Sequence, residues 1–324
     1  MKTKHIWKIL LGCLFSALLI YFTLKQIDFK TSMEYAKSAN YTVLIVAALI
    51  YVLTYVARSV RFCFLIMPIK KTPLFKNFPY TVLGFFMNNL IPLRIGEFIR
   101  AKVTGERLGI SRSASLAAIV VERLLDITIF ILFFFAVMYF LPFPDFIAKS
   151  FYLCAFIFGG LFIVLWGLAM RKEKTINLIC KIPMPAKIKN LLLQTADKFI
   201  SGLDVLKSKK IFVCSFAFSI AVWIIESSSL MIAASACGFN ISLAGAAFTV
   251  IIIGIGAIIP TAPGFVGAFE FMGVAALSAL GIDKDQAFSC IIVYHFIQLT
   301  VIATLGLSSI FLTRISFKDL FKFE

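Results

Sequence analysis

The chain has 324 residues, 61% of them hydrophobic and 36 of them Phe, with a mean hydropathy of +0.98, against about 45–50% apolar residues in soluble domains. That excess excludes a soluble globular protein and requires an integral membrane one. The net charge of +16 suggests a nucleic-acid partner only superficially, because the Lys and Arg collect between apolar runs, as in loops facing anionic headgroups.

Several runs approach the roughly 20 apolar residues that cross a bilayer as helix, and the alternating segments of about ten residues that build a membrane barrel are not seen. The fold class expected is an all-α polytopic membrane protein. The seven Cys are dispersed, without a CxxC pair or a His at ligand spacing, and read as small buried hydrophobes rather than metal ligands. No cofactor is expected.

The first span is expected at residues 6–24. It is longer than the roughly 7–15 apolar residues of a signal peptide and lacks a small-residue cleavage site, so it reads as retained. Lys2, Lys4 and Lys8 place the N-terminus in the cytoplasm. The mixed-charge segment after it should lie outside. A second span over 41–57, extending towards 67, returns inward to a basic set that includes Arg58, Arg61, Lys70 and Lys71.

Simple span counting then fails. Residues 81–90 make only about 15 Å of helix before Asn88-Asn89-Leu90-Ile91-Pro92-Leu93-Arg94-Ile95-Gly96-Glu97 sets charge, proline and glycine into the run. The economical reading is a re-entrant hairpin turning at 91–96, since irregular backbone at that depth is tolerated only where protein buries it or water lines it. A third span over 114–141 carries Glu122, Arg123 and Asp126, and an outer turn follows at 141–145. The fourth covers 151–170. Residues 171–210 form the longest polar piece, with the periodicity of a surface-lying amphipathic helix pair on the cytoplasmic side. The fifth span, 211–236, holds Glu226. Residues 244–259 are short again and end in Pro260-Thr261-Ala262-Pro263-Gly264-Phe265-Val266-Gly267-Ala268-Phe269-Glu270, a second hairpin tip. A sixth span over 287–312 returns the chain to a cytoplasmic C-terminus.

Aligning Glu97 with Glu270 and Gly109-Ile110-Ser111 with Gly281-Ile282-Asp283 sets Glu122, Arg123 and Asp126 opposite Tyr294, His295 and Gln298. The expectation is an inverted repeat, 1–145 and 146–324, with six full spans and two re-entrant hairpins. Interrupted helices in such repeats mark the substrate site of many transporters.

Charges in lipid cost from about 2.5 kcal/mol upward at a span centre. Arg94, Glu97, Glu122, Arg123, Asp126, Glu226, Glu270 and His295 are therefore expected as one constellation, with Glu97 and Arg100 three apart and able to pair, and with Arg123 pointing away from the face shared by Glu122 and Asp126. Two readings stand side by side: salt bridges that fix broken helices, or an anion pocket in which Arg94 and the amides after Pro263, Gly264 and Gly267 receive a lipid phosphate. Asn88 and Asn89 either cap the helix end or touch a headgroup. Signatures of hydrolases, metalloproteases, P-loop pumps and phosphatidyl-alcohol transferases were not found.

The two break motifs and Glu122-Arg123-Leu124-Leu125-Asp126 resemble the lysylphosphatidylglycerol synthase transmembrane region, a flippase-like family, over nearly the whole chain. The resemblance implies a multi-pass protein of the prokaryotic inner membrane related to the flippase half of the multiple peptide resistance factor. With the sequence ending at Glu324, no aminoacyl-transferring domain is expected. The function expected is translocation of an anionic or aminoacylated phospholipid, or of a polyprenyl-phosphate-linked lipid. The alternative is a subunit of glycolipid assembly holding the lipid for a partner enzyme, and a structural scaffold stands third. Membrane lipids are the expected partners, with a homo-oligomer or a lipid-modifying enzyme compatible and nucleic acid not.

Overall fold

Several helices in this chain begin where a short polar side chain can take the first free amides. In the computed structural model, which describes residues 6–91, 95–138, 145–257 and 261–320, α1 (Ile6–Leu24) is followed by Asp28, whose Oδ1 accepts from the Lys30 amide at 2.9 Å and starts α2 (Phe29–Ser38). Asn40 Oδ1 accepts from the Thr42 and Val43 amides at 3.1 and 3.2 Å at the head of α3 (Tyr41–Ile66). The first break lies between α4 (Leu74–Leu90) and α5 (Gly96–Leu108). Ser111 Oγ accepts from the Ala114 amide at 3.1 Å and caps α6 (Arg112–Met138).

The second half continues with α7 (Asp145–Met170), α8 (Lys172–Lys181), α9 (Ala186–Gly202), a 3-10 turn (Asp204–Lys207) and α10 (Lys209–Ala236). Ser242 Oγ accepts from the Gly245 amide at 3.1 Å and opens α11 (Leu243–Gly256). A 3-10 turn (Pro263–Phe265) and α12 (Ala268–Ala279) follow. Asp283 Oδ1 then accepts from the Asp285 and Gln286 amides at 3.0 and 3.3 Å to start α13 (Lys284–Thr313), and α14 (Phe317–Leu320) ends the described residues, which contain no strand.

The helical class is as the sequence implies, and most predicted boundaries fall within a few residues of the observed ones. Among the described residues three helices, α3, α10 and α13, are long and apolar enough to cross a membrane, or up to five spans if the bent pairs α1–α2 and α7–α8 each count as one. Helix α6 has the length, 27 residues or about 40 Å, but carries Glu122, Arg123 and Asp126 within it. The mixed-charge segment after α1 forms a helix, α2, that the sequence reading does not contain, because Asp28 supplies the cap. One expectation needs correcting: the first arm of the first break is longer than residues 81–90, since α4 starts at Leu74 and continues through Pro79.

The order long, short, short, long recurs, as 26, 17, 13 and 27 residues in α3 to α6 and 28, 14, 12 and 30 residues in α10 to α13. The turns before the last member agree in detail. Gly109 and Gly281 both take a left-handed φ, +65° and +86°. The next amide reaches back five residues in each case, Ile110 to the Gly105 carbonyl at 3.0 Å and Ile282 to the Leu277 carbonyl at 3.2 Å. That bond is the mark of a Schellman cap.

The chain forms two compact units, each drawing on both halves of the sequence: Met1–Tyr55, Phe85–Gly96 and Val222–Ser308 in one, Val56–Gly84, Glu97–Ala221 and Ser309–Glu324 in the other. The second unit packs Phe62 and Leu65 of α3 against Ala101 of α5, Val121 and Leu125 of α6 and Leu165 of α7. Within it α9 approaches α6 closely, because a Cβ on Gly202 would stand 2.5 Å from the Ala114 carbonyl oxygen. In the first unit, polar groups link the helices: Ser229 Oγ donates to the Ala47 carbonyl at 2.8 Å, and the Tyr294 hydroxyl to the Glu226 carbonyl at 3.1 Å.

Candidate functional site: two buried ion-pair clusters at the helix breaks

In the second unit, α3, α5 and α6 bring three guanidiniums and two buried carboxylates together. Arg61 is fully buried on α3. Its Nη1 donates to Asp126 Oδ1 at 2.5 Å and to Ser219 Oγ at 3.0 Å, and its Nη2 lies 3.3 Å from Glu122 Oε1. Arg100 on α5 grips Glu122 with both arms, at 3.0 and 3.1 Å, while its guanidinium carbon sits 3.9 Å over the centre of the Phe62 ring. Arg123 bonds Glu122 and lies 3.2 Å from Asp126 Oδ2. Glu122 Oε1 is thus shared by all three arginines. Arg58 on α3 adds its field to Asp126 and Arg123.

The cluster is graded in exposure. Arg61 and Glu122 are sealed, whereas Arg123 and its loosest partner Glu97, 3.6 Å away, have side chains 24% and 23% exposed. Buried charges at this density persist only when paired and hydrogen-bonded, and removing one partner of such a pair typically costs about 3–5 kcal/mol. The inner arginines therefore fix the carboxylates, which in turn aim Arg123.

The first unit holds the second cluster. His295 on α13 has Nδ1 at 2.6 Å from Glu270 Oε1 and Nε2 at 2.9 Å from the Gly264 carbonyl, with its ring stacked on Phe269 at 4.0 Å between centroids. Both ring nitrogens face oxygens, so the pair keeps both contacts only while it holds a proton beyond the one on a neutral imidazole. The Gly267 amide donates to Glu270 Oε2 at 2.6 Å, half of a capping box for α12.

The break itself is held open by its backbone. Gly264, Phe265 and Gly267 all have left-handed φ, +73°, +61° and +91°, and Phe265 is the strained member because its Cβ opposes that conformation. Helix α1 closes over it: Ser16 Oγ accepts from the Ala262 amide at 2.8 Å, and a Cβ on Gly267 would fall 2.7 Å from the Ser16 carbonyl oxygen.

The structure gathers the expected residues into two clusters, each within one unit. Glu97, Arg100, Glu122, Arg123 and Asp126 share one; Gly264, Gly267, Glu270 and His295 share the other, with Pro263 opening the 3-10 turn. Arg94 lies outside the described residues, as do Pro92 and Pro260. Asn89 Nδ2 donates to the Phe85 carbonyl of its own helix at 3.0 Å, and Asn88 Oδ1 is buried without a partner among the described residues. Glu226, 8% exposed on α10, belongs to the same unit as His295.

Three expectations are corrected. Arg123 does not point away from Glu122 and Asp126; it bonds both, because its long side chain reaches round the helix. Arg100 pairs with Glu122 on the neighbouring helix, and Glu97 with Arg123, rather than with each other. Arg61 was assigned to a cytoplasmic basic set, yet α3 runs on to Ile66 and buries it; the apolar residues Phe62, Phe64, Leu65 and Ile66 beyond it were the available signal. The cysteines are also less uniform than expected, with Cys237 and Cys290 buried but Cys13 and Cys180 exposed.

Helices of this length and apolarity, with charges sheltered among them at helix breaks, define an integral membrane protein. The family model of the lysylphosphatidylglycerol synthase TM region matches residues 9–306, and the chain belongs to that family. No curated protein matches the chain.

Proposed function

We propose that the protein is a lipid translocator of the prokaryotic inner membrane, and that Arg123 receives the phosphate of the headgroup by exchanging it for Glu97. The carrying observation is the gradient within the arginine cluster. Among the described residues its loosest ion pair, Arg123–Glu97, is also its most exposed, while the inner arginines are locked by short, bidentate bonds. A phosphate offers the guanidinium the same two-oxygen, bidentate pairing as a carboxylate, with a charge at least as large. Exchange at Arg123 therefore leaves the inner network intact.

The reading includes six spans, two re-entrant hairpins and cytoplasmic termini, arranged as an inverted repeat. Supporting the repeat, Arg123 reaches Glu97 from the long helix to the first turn of the preceding arm, as His295 reaches Glu270, and both long helices follow the same Schellman turn. The substrate class is an anionic or aminoacylated phospholipid or a polyprenyl-phosphate-linked lipid, and no catalytic step or cofactor is invoked.

The test is lipid movement in reconstituted vesicles, with phosphatidylglycerol and a polyprenyl phosphate as probes. Wild-type protein should accelerate transfer between leaflets. Arg123→Gln should reduce the rate at least tenfold with folded protein retained, Arg123→Lys should fall between, and Glu97→Gln should raise lipid affinity by removing the competing carboxylate. Normal transport in Arg123→Gln would discard the site. If wild-type protein moves no lipid but a partner enzyme forms product only in its presence, the lipid-holding subunit replaces the translocator.

A further inference from the structure

We propose that the corner between α7 and α8 binds one anionic phospholipid, with Arg171 and Lys174 holding its phosphate and an acyl chain lying along Trp166 and Met170. This does not depend on transport. The chain turns through 90° between these helices, so the long apolar α7 passes directly into the short, mixed-polarity α8. An open groove of about 730 Å³ lies at the turn, lined among others by Ile163, Trp166, Met170, Arg171, Lys174 and Leu178.

The chemistry of the lining changes along its length as a phospholipid's does. Trp166, Met170 and Leu178 are 49%, 55% and 66% exposed, apolar surface that water does not tolerate in a contiguous patch but lipid does. Arg171, at the N-cap of α8, and Lys174, in its first turn, both line the groove, both exposed and with no acidic partner among the described residues. The neighbouring Lys172 is different: its Nζ is held 2.7 Å from Asp197 and donates to Ser201 Oγ at 2.9 Å. Two uncommitted cations at the mouth of an apolar groove at an interfacial corner match an anionic headgroup, since juxtamembrane Lys and Arg each strengthen such binding severalfold. A zwitterionic lipid would gain much less from them.

Fluorescence of Trp166, in full-length protein carrying Trp7→Phe and Trp223→Phe, reads the site directly. In vesicles, brominated phosphatidylglycerol should quench it at a mole fraction at least fivefold lower than brominated phosphatidylcholine. Arg171→Gln with Lys174→Gln should erase that preference, and both side chains are exposed, so folding is spared. Native mass spectrometry of the unaltered chain and of the double variant gives the same comparison without the Trp changes: one phosphatidylglycerol retained by the first and lost by the second. Equal quenching by the two lipids, a phosphatidylglycerol preference that survives the double variant, or a Trp166 shielded from both lipids by a second copy of the chain would each overturn the assignment.

Discussion

Arginine keeps its charge under all cellular conditions, whereas histidine can lose it, and that difference separates two otherwise parallel pairs. Arg123–Glu97 and His295–Glu270 each join a long helix to the first turn of the arm before it. In the second, the imidazole also ties the Gly264 carbonyl, so loss of its proton would leave one ring nitrogen facing an oxygen without a hydrogen between them. His295→Arg, which restores a fixed cation able to stack on Phe269, is expected to retain folded protein. His295→Leu strands the Glu270 carboxylate and should cost about 3 kcal/mol, and the double variant with Glu270→Leu should recover part of that loss. Thermal unfolding in detergent measures all three, and equal stability of His295→Leu and wild type would show the pair to be inert. At this scale the sequence revealed which residues are costly in lipid, and it revealed Glu97, Arg123, Glu270 and His295 among them. Their partners were not legible, because a seven-atom guanidinium side chain can reach either side of its helix.

Among the elements, the paired arms α4–α5 and α11–α12 depend on glycine for two separate reasons. Gly84 is helical and needed for space: a Cβ there would stand 2.6 Å from Arg100 Cβ, so α4 and α5 touch at this point. Gly281 has open space around it and is needed for its φ of +86°. Gly84→Ala should wedge the arms apart, cost about 1–3 kcal/mol and disturb the Arg100–Glu122 bonds, lowering lipid movement. Gly281→Ala should cost only about 1 kcal/mol and leave transport unchanged. Unfolding and vesicle assays on the pair separate the two mechanisms, and a Gly281→Ala variant as impaired as Gly84→Ala would contradict them. The breaks were legible because proline, glycine and charge interrupt an apolar run, a purely local signal. Helix α2 was missed because ten residues of mixed charge look like a loop until Asp28 is seen as its cap. The role of α1 was missed as well: Ser16 is an ordinary small residue in an apolar span, and only packing places its hydroxyl at the second break.

For the molecule as a whole, the basic segments determine orientation. The proposed topology puts residues 281–286 outside and the α8–α9 segment inside, by the positive-inside rule. Single cysteines introduced at Lys284 and at Lys189, in a chain whose seven native cysteines are replaced, should react with a membrane-impermeant reagent from outside and only after permeabilisation, respectively. Labelling of both from the same side would overturn the inverted arrangement. The sequence by itself determined the membrane class, the long apolar helices and both breaks, since each follows from composition or from residues within one turn of each other. Tertiary structure alone decided that Arg61 is a buried partner of Asp126 and Glu122, that Arg100 crosses to α6, and that His295 spans Glu270 and Gly264. Those contacts depend on how each helix is rotated about its axis, and that rotation is set by packing against neighbours far away in the chain.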